Sequence, residues 1–351
     1  MIQGKNVLLF SAAFALASAC TSSVTEHSPL DAQDARAGRD AGPVDGGVEE
    51  KICDPFSAAS VVPQIFIGPT GLEARLTEAI EASQSTIDLM MYQFTRPALV
   101  KSLSAASGRG VAIRVVIDAR QTENAATVAA LKAAGVDIRA APARFSHNHS
   151  KVLIVDKNTA FLMSANFNDY SMASERNYGL VVTSPQDVGD LQTVFDADFA
   201  GVALSGLDCT RLILSPANAR DRLGSLIGSA EKTLDLAVMY LSDAALEDAV
   251  IARHKAGVSL RILFADPGWI KSNSETAARL KAEGISVRYL SYPELHAKLI
   301  VADDRVFIGS QNLSWTSLEK NREVGLIDTT QELVGKVNVQ FDADWNAGKS
   351  F

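Results

Sequence analysis

The chain has 351 residues, 47% of them apolar and 21% charged, enough material for one or two packed domains. Its formal net charge is −8, but residues 21–50 hold seven acids against two arginines, so only half of that excess falls from residue 51 onward. A mildly acidic body lacks the broad basic surface of a protein that tracks nucleic acid backbones, yet it leaves room for one phosphodiester in a local basic pocket.

At the N-terminus Lys5 makes a short positive region, Val7–Leu16 is apolar, and Ala17-Ser18-Ala19 leads into Cys20. The apolar run is too short for an ordinary membrane span and predicts a signal peptide over residues 1–20. Small residues directly before Cys20 resemble a bacterial lipoprotein signal. On that reading Cys20 is lipidated and the protein is anchored in the cell envelope, facing the periplasm or the surface; the alternative is cleavage after Ala19 and secretion. Residues 21–50 have almost no large apolar side chains, which predicts a disordered tether. No later segment approaches the length of a membrane span.

From residue 51 the pattern alternates helix and strand. Leu72, Leu76 and Ile80 share a helical face, followed by the β-rich Thr86–Tyr92. A second helix opens near Pro97, a favoured first-turn residue, and leads to a strand at Ala112–Ile117. A helix over 125–134 and a short strand at Val136–Arg139 follow, then two apolar strands, the second ending in Ser164. Met90 and Met91 read as core.

The same order then repeats. Thr86-Ile-Asp88-Leu returns as Thr233-Leu-Asp235-Leu, and Gly110-Val-Ala-Ile-Arg114 as Gly257-Val-Ser-Leu-Arg261. Leu131-Lys-Ala-Ala-Gly135 is answered by Leu280-Lys-Ala-Glu-Gly284, and Phe195-Asp-Ala-Asp198 by Phe341-Asp-Ala-Asp344. A repeat this long is a domain pair, not a solenoid. The expected class is α/β: two tandem duplicated α/β/α sandwich halves, 51–205 and 206–351. Cys53 and Cys209 each stand just before one half, a candidate disulfide in an oxidising compartment.

The chemistry concentrates in one recurring kit. His149-Ser-Lys151-Val-Leu-Ile-Val-Asp156 returns as His296-Ala-Lys298-Leu-Ile-Val-Ala-Asp303, trailed by Ser164-Ala-Asn166 and Ser310-Gln-Asn312. Strand parity puts His149 with Lys151, and His296 with Lys298, on a common face, while Asp156 and Asp303 fall opposite and read as structural or outer-shell groups. Of five histidines only these two form a matched pair, because His27 lies in the tether, His147 has no counterpart and His254 sits on a helix surface. One His-x-Lys is weak evidence; two at equivalent places suggest a single site, assembled from both halves around one anionic group.

These motifs resemble the phospholipase D superfamily, with His-x-Lys-(x)4-Asp and Gly-Ser-x-Asn present twice per active site. The resemblance implies halves related by a pseudo-two-fold axis and a phosphodiesterase working through a phosphohistidine. One histidine attacks phosphorus while the other protonates the leaving alcohol, and water or a second alcohol releases the product. Lys151, Lys298, Asn166 and Asn312 would bind non-bridging oxygens, with Ser164, Ser310 and Asn177 contributing to substrate binding. No metal or other cofactor, and no obligate protein partner, is implied.

Two departures matter. Met163 stands where the pattern wants Gly, against Gly309 in the second half, and Asn177 stands where Glu323 stands eleven residues after Asn312. In the family that Glu bonds the catalytic His. The expectation is therefore that Glu323 raises the pKa of His296 while Asn177 orients His149, making His149 the nucleophile and His296 the general acid. Glu175, two residues from Asn177, is a possible replacement carboxylate. Phe167, Tyr170 and Trp315 either line a groove or pack beneath loops.

Phospholipid is the favoured substrate, from the expected envelope location, the lipid anchor to a membrane and the acidic body. Nucleic acid is the alternative, since each half is small and free of large insertions. A third reading, from another class, is a catalytically silent lipoprotein that binds phosphate ligands; Met163 and Asn177 permit it.

Overall fold

The computed structural model describes Asp54 and residues 56–351 apart from residue 208. The expected signal peptide, Cys20, the tether and Cys53 lie outside the described residues. The first unit runs β1 (Gln64–Ile67), α1 (Leu72–Ala82), β2 (Thr86–Met91), α2 (Pro97–Gly108), β3 (Ala112–Ile117), α3 (Ala125–Ala133) and β4 (Asp137–Ala140). It continues with β5 (Val152–Val155), β6 (Thr159–Met163), α4 (Asp169–Ala173), β7 (Glu175–Arg176), β8 (Tyr178–Val182) and α5 (Pro185–Ala200). The second unit runs β9 (Leu212–Ser215), α6 (Ala219–Gly228), β10 (Thr233–Val238), α7 (Ala244–Lys255), β11 (Ser259–Ala265), α8 (Asn273–Ala282) and β12 (Ser286–Leu290). Then come β13 (Glu294–Leu295), β14 (Lys298–Ala302), β15 (Arg305–Gly309), α9 (Trp315–Glu319), β16 (Glu323–Asp328), α10 (Gln331–Ala347) and β17 (Lys349–Ser350).

Each unit builds one mixed sheet. The first has strand order β1-β8-β6-β5-β2-β3-β4, and the second reads β9-β16-β15-β14-β10-β11-β12 in the same sense, with β17 added at its far edge. The fold is α/β, made of two tandem duplicated halves. Strand alternation sorts the core into three bodies. Ile87, Leu89 and Met91 face α1 and α2 through Leu76, Ile80, Leu99 and Leu103. Leu234, Leu236 and Val238 face α6 and α7 in the same way. The opposite faces of both sheets share a single core with α5 and α10, in which Met90, Leu162 and Leu180 join Leu299, Leu326 and Phe341. The described residues from 56 to 351 accordingly form one compact unit.

The repeated sequence blocks now have physical meanings. Arg114 binds Asp88 through both carboxylate oxygens at 2.7–2.8 Å, and Arg261 binds Asp235 at 2.6–2.8 Å. Phe195 and Phe341, which open the last repeated block, each lie under one of these guanidiniums at 4.8 Å. The block's final residue works between the halves: Asp198 holds Arg322 at 2.7 Å and Asp344 holds Arg176 at 2.9 Å, all four largely buried.

Met163 also has a packing explanation. A side chain at Gly309 would meet Gln311, Phe307 and the Cα of Gly325, all within 2.8 Å. In the first half Ala165 stands where Gln311 stands in the second, and Met163 itself is buried in that core. The Gly-to-Met departure is thus a core exchange, with Met163 and Ala165 in place of Gly309 and Gln311.

Candidate active site

The motif strands start later than parity suggests. Strand β5 opens at Val152, so His149 and Lys151 precede it, and β14 opens at Lys298, with His296 just outside. The reason lies in the opposite half. The His149 backbone N–H donates to the Arg322 carbonyl at 2.9 Å, and His296 N–H donates to the Arg176 carbonyl at 3.1 Å. Strand β13 pairs in parallel with β7, and Asn148 forms the matching parallel bridge with Arg322. Each histidine is therefore carried on a segment hydrogen-bonded to the other half.

That exchange overturns the expected pairing of Glu323 with His296 and of Asn177 with His149. Glu323 Oε2 lies 2.8 Å from His149 Nδ1, and Asn177 Oδ1 lies 3.0 Å from His296 Nδ1. The residues leading into Glu323 and Asn177 are zipped to the residues leading into the other half's histidine, so the contacts cross. Tautomers follow from the partners. An ionised carboxylate only accepts, so His149 carries its proton on Nδ1. Asn177 donates its amide N–H to Glu175 at 3.2 Å and accepts the Ser164 hydroxyl at 2.8 Å, which leaves its oxygen to accept from His296 Nδ1. Both Nε2 atoms remain for chemistry.

Aromatic rings hold the imidazoles in place. Tyr92 contacts His149 edge-on at 4.7 Å between centroids, and Trp269 lies 6.3 Å from His296. Lys151 and Lys298 are each 1% exposed; each ammonium donates to the carbonyl of its own motif histidine, at 2.8 Å for Lys298. The side-chain oxygens of Asn166 and Asn312 are buried with no partner among the described residues. An amide oxygen only accepts, so these two residues would meet an anionic ligand through their amide N–H groups.

The electrostatics are those of a cation cluster short of anions. Burial pushes His149 down to about 4, with Glu323 opposing and Lys151 adding to the fall. Burial, then Lys298, Lys151 and His149, drives His296 well below its ordinary value. Lys298 is pushed down to about 7 by burial against the pull of Glu175 and Glu323, and Lys151 is lowered in the same way. Burial resists ionisation of Glu323, but His149 and Lys151 hold it below the usual range. Burial thus disfavours the charged form of all four groups, the ammonium groups lower both imidazoles further, and a bound phosphodiester would offset both effects.

Other expected residues fall outside the reacting cluster. Asp156 sits in a turn at φ 50° and accepts the backbone N–H groups of Gln84, Ser85 and Thr86, while Asp303 accepts those of Glu231, Lys232 and Thr233. Ser164 and Ser310, expected to touch substrate, are fully buried and instead brace neighbouring strands, accepting the Tyr178 and Val324 N–H groups at 3.1 Å. Asn177, also expected to bind substrate, is spent on His296. Phe167 is buried against Phe94 at 5.2 Å, whereas Tyr170 and Trp315 are exposed. Among the described residues no group of three or more His, Cys, Asp and Glu side chains is arranged to hold a metal ion.

Sequence reasoning passed over Tyr92, Trp269, Ser171, Ser317, Arg176 and Arg322. Ser171 and Ser317 stand five residues after Asn166 and Asn312, and each hydroxyl donates to the nearby Glu at 2.6 Å. That matched spacing, and the matched arginines beside Asn177 and Glu323, were signals open to detection.

The sequence matches the family described as "Cardiolipin synthase, PLD-like domain" over residues 76–199 and 223–345. The chain belongs to this phospholipase D-like family. It is 27% identical over 196 residues to "Phospholipase D Z" of Dictyostelium discoideum, covering 48% of this chain and 46% of that protein. It is 32% identical over 130 residues to the human "Mitochondrial cardiolipin hydrolase", covering 36% of this chain and 51% of that one. The chain thus spans about half the length of these two curated relatives. Among solved structures, the phosphatidylserine synthase of Haemophilus influenzae Rd KW20 superposes with a TM-score of 0.68 at 12% identity, over 84% of this chain and 89% of that one. That likeness shows a common fold.

Proposed function

We propose that the protein is a phosphodiesterase of the phospholipase D type, acting on phosphatidyl groups through a phosphohistidine intermediate. The observation that carries this reading is the meeting of His149, Lys151, His296 and Lys298 in one cluster, buried or nearly so, with the pKa of every one of them lowered. Membership of a family whose relatives include enzymes named for phospholipase D and cardiolipin hydrolysis supports a phospholipid substrate.

In the first step His149 Nε2 bonds to phosphorus as the bond to the leaving alcohol breaks, and His296 gives its Nε2 proton to that oxygen. In the second, water or an acceptor alcohol gives its proton to His296 as its oxygen bonds to phosphorus, and the N–P bond to His149 breaks. Lys151, Lys298, Asn166 and Asn312 surround the non-bridging oxygens.

With Glu323 on His149, the expectation that a carboxylate marks the acid would now point to His149. The charge of the adduct outweighs it. An imidazole phosphorylated on Nε2 and protonated on Nδ1 is cationic for the life of the intermediate, and Glu323 is the carboxylate hydrogen-bonded to His149. Burial and the charges of Lys298 and Lys151 hold His296 well below its ordinary value, and the negative charge of a bound phosphodiester is what would restore its proton.

Turnover of bis-(p-nitrophenyl) phosphate, lost in both His149→Ala and His296→Ala, tests enzyme against silent binder. Parallel assays on cardiolipin vesicles and on plasmid DNA separate phospholipase from nuclease. Trapping the intermediate and finding phosphate on His296 would overturn the assigned roles.

Anchoring through Cys20 and a Cys53–Cys209 disulfide complete the proposal. Phe56 supports the disulfide by packing on the second-half core, under Arg305 at 5.2 Å, which brings the start of the body toward the half that carries Cys209. Peptide mapping under non-reducing conditions checks it.

A further inference from the structure

The two halves carry the same pair of side chains in opposite order. The second reads Asn321-Arg322-Glu323 and the first Glu175-Arg176-Asn177. In the second half the Asn321 amide donates to Glu323 at 3.2 Å, and Ser317 donates to the same carboxylate at 2.6 Å. In the first, the Asn177 amide donates to Glu175 at 3.2 Å, and Ser171 donates to it at 2.6 Å. The hydrogen-bond set is therefore preserved while acid and amide exchange places. Facing His149 is a carboxylate at 2.8 Å; facing His296 is an amide oxygen at 3.0 Å, with the Glu175 carboxylate set back to 3.6 Å from the same Nδ1.

We propose that Glu175, acting through Asn177, is the positioning carboxylate of His296, a role that rests on the phosphodiesterase reading. By accepting the Asn177 amide N–H, Glu175 fixes which end of that amide faces the imidazole, and so fixes the Nδ1–H tautomer. Its charge, one step removed, offsets the ammonium groups of Lys298 and Lys151 and the imidazole of His149, the charged groups that act on His296. A carboxylate in direct contact suits a ring that stays cationic through the intermediate. One held behind an amide suits a ring that must give its proton up and take it back. Glu175 is 5% exposed; Glu294, paired in parallel to it across β7 and β13, has its pKa raised by burial and then by the neighbouring negative charges of Glu175 and Asp266. The swapped order thus turns a symmetric scaffold into an asymmetric acid–base pair.

The test uses the full chain with 15N-labelled imidazoles. Glu175→Gln keeps the volume and hydrogen bonding but removes the charge, and the double variant Glu175→Asn/Asn177→Glu rebuilds the second-half order. Glu175→Gln is expected to lower kcat about 10- to 100-fold with KM little changed, because only part of a general acid's contribution is lost. Losing a nearby negative charge lowers the pKa of His296, so the alkaline limb of kcat moves to lower pH. The double variant should recover most of kcat, with that limb above the wild-type position. In the spectra Glu175→Gln should change the His296 tautomer or titration and leave His149 unmoved. An unchanged His296 signal with unchanged kcat overturns the proposal, as does an equal response of both histidines. If the wild type lacks turnover while His296 alone responds, the phosphodiesterase reading fails and the Glu175 linkage stands. Should Glu175→Gln not fold, a folded double variant without activity or a His296 shift overturns the proposal.

Discussion

His149 and Glu323 lie 174 positions apart in the chain, yet their Nδ1 and Oε2 atoms are 2.8 Å apart. Each half therefore supplies the imidazole that the other half orients. Replacing Glu323 with Gln removes the charge that balances a phosphorylated His149. By analogy with other His–carboxylate pairs, kcat is expected to fall about 10²–10⁴-fold. The nucleophile must be unprotonated, so activity falls as pH drops through its pKa. Without the carboxylate that pKa is lower still, and the acid limb of kcat/KM should move to lower pH; a limb that moves upward contradicts the contact.

Lys298 is pushed down to about 7 by burial. It binds the substrate anion only while protonated, so the affinity for a non-hydrolysable phosphodiester inhibitor, which needs no proton from His296, should decline as pH rises through about 7. Arg stays charged across this range, so Lys298→Arg is expected to remove that decline even where the changed geometry weakens binding. A pH profile of the variant's affinity with the decline still near 7 would assign it to another group.

Asp198 holds Arg322, the residue next to Glu323, in a buried ion pair and also binds Arg144 at 3.0 Å. Asp198→Asn leaves a buried guanidinium short of its counter-charge. A loss of about 3–5 kcal/mol in urea-unfolding free energy is expected. Because Arg322 sets the backbone beside Glu323, the remaining folded enzyme should also lose kcat.

Met163 and Gly309 occupy one position in the two halves, in different packing. Met163→Gly opens a core cavity and should cost about 2–5 kcal/mol. Gly309→Met forces a side chain against Phe307, Gln311 and Gly325, and should also destabilise. Adding Gln311→Ala recreates the first-half pairing, so the double variant should be more stable than Gly309→Met alone; a double-variant cycle on thermal unfolding measures the coupling.

The sequence revealed the parts of the site whose meaning is local. The His/Lys/Asn kit, the turn-forming Asp156 and Asp303, and the order of helices and strands all sit within one half, where spacing and periodicity speak directly. The His149–Glu323 and His296–Asn177 contacts depend on how two finished halves dock, and spacing within a half points to the wrong partner. Ser164 and Ser310 are ambiguous in sequence for a related reason: a motif shows that a serine recurs, not that its hydroxyl accepts from a neighbouring strand. Tyr92 and Trp269 flank the two imidazoles as different residues on different turns of chain, so the repeat gives no cue to either.

The backbone bridges from His149 to Arg322 and from His296 to Arg176 carry a final consequence for how such a chain can change. Duplicated domains ordinarily drift apart, one copy keeping the task while the other is released. Here a substitution beside Arg176 is felt at the second copy's imidazole, and one beside Arg322 at the first's. Neither copy can decay without disabling the other, so the divergence open to this chain is specialisation within one shared centre.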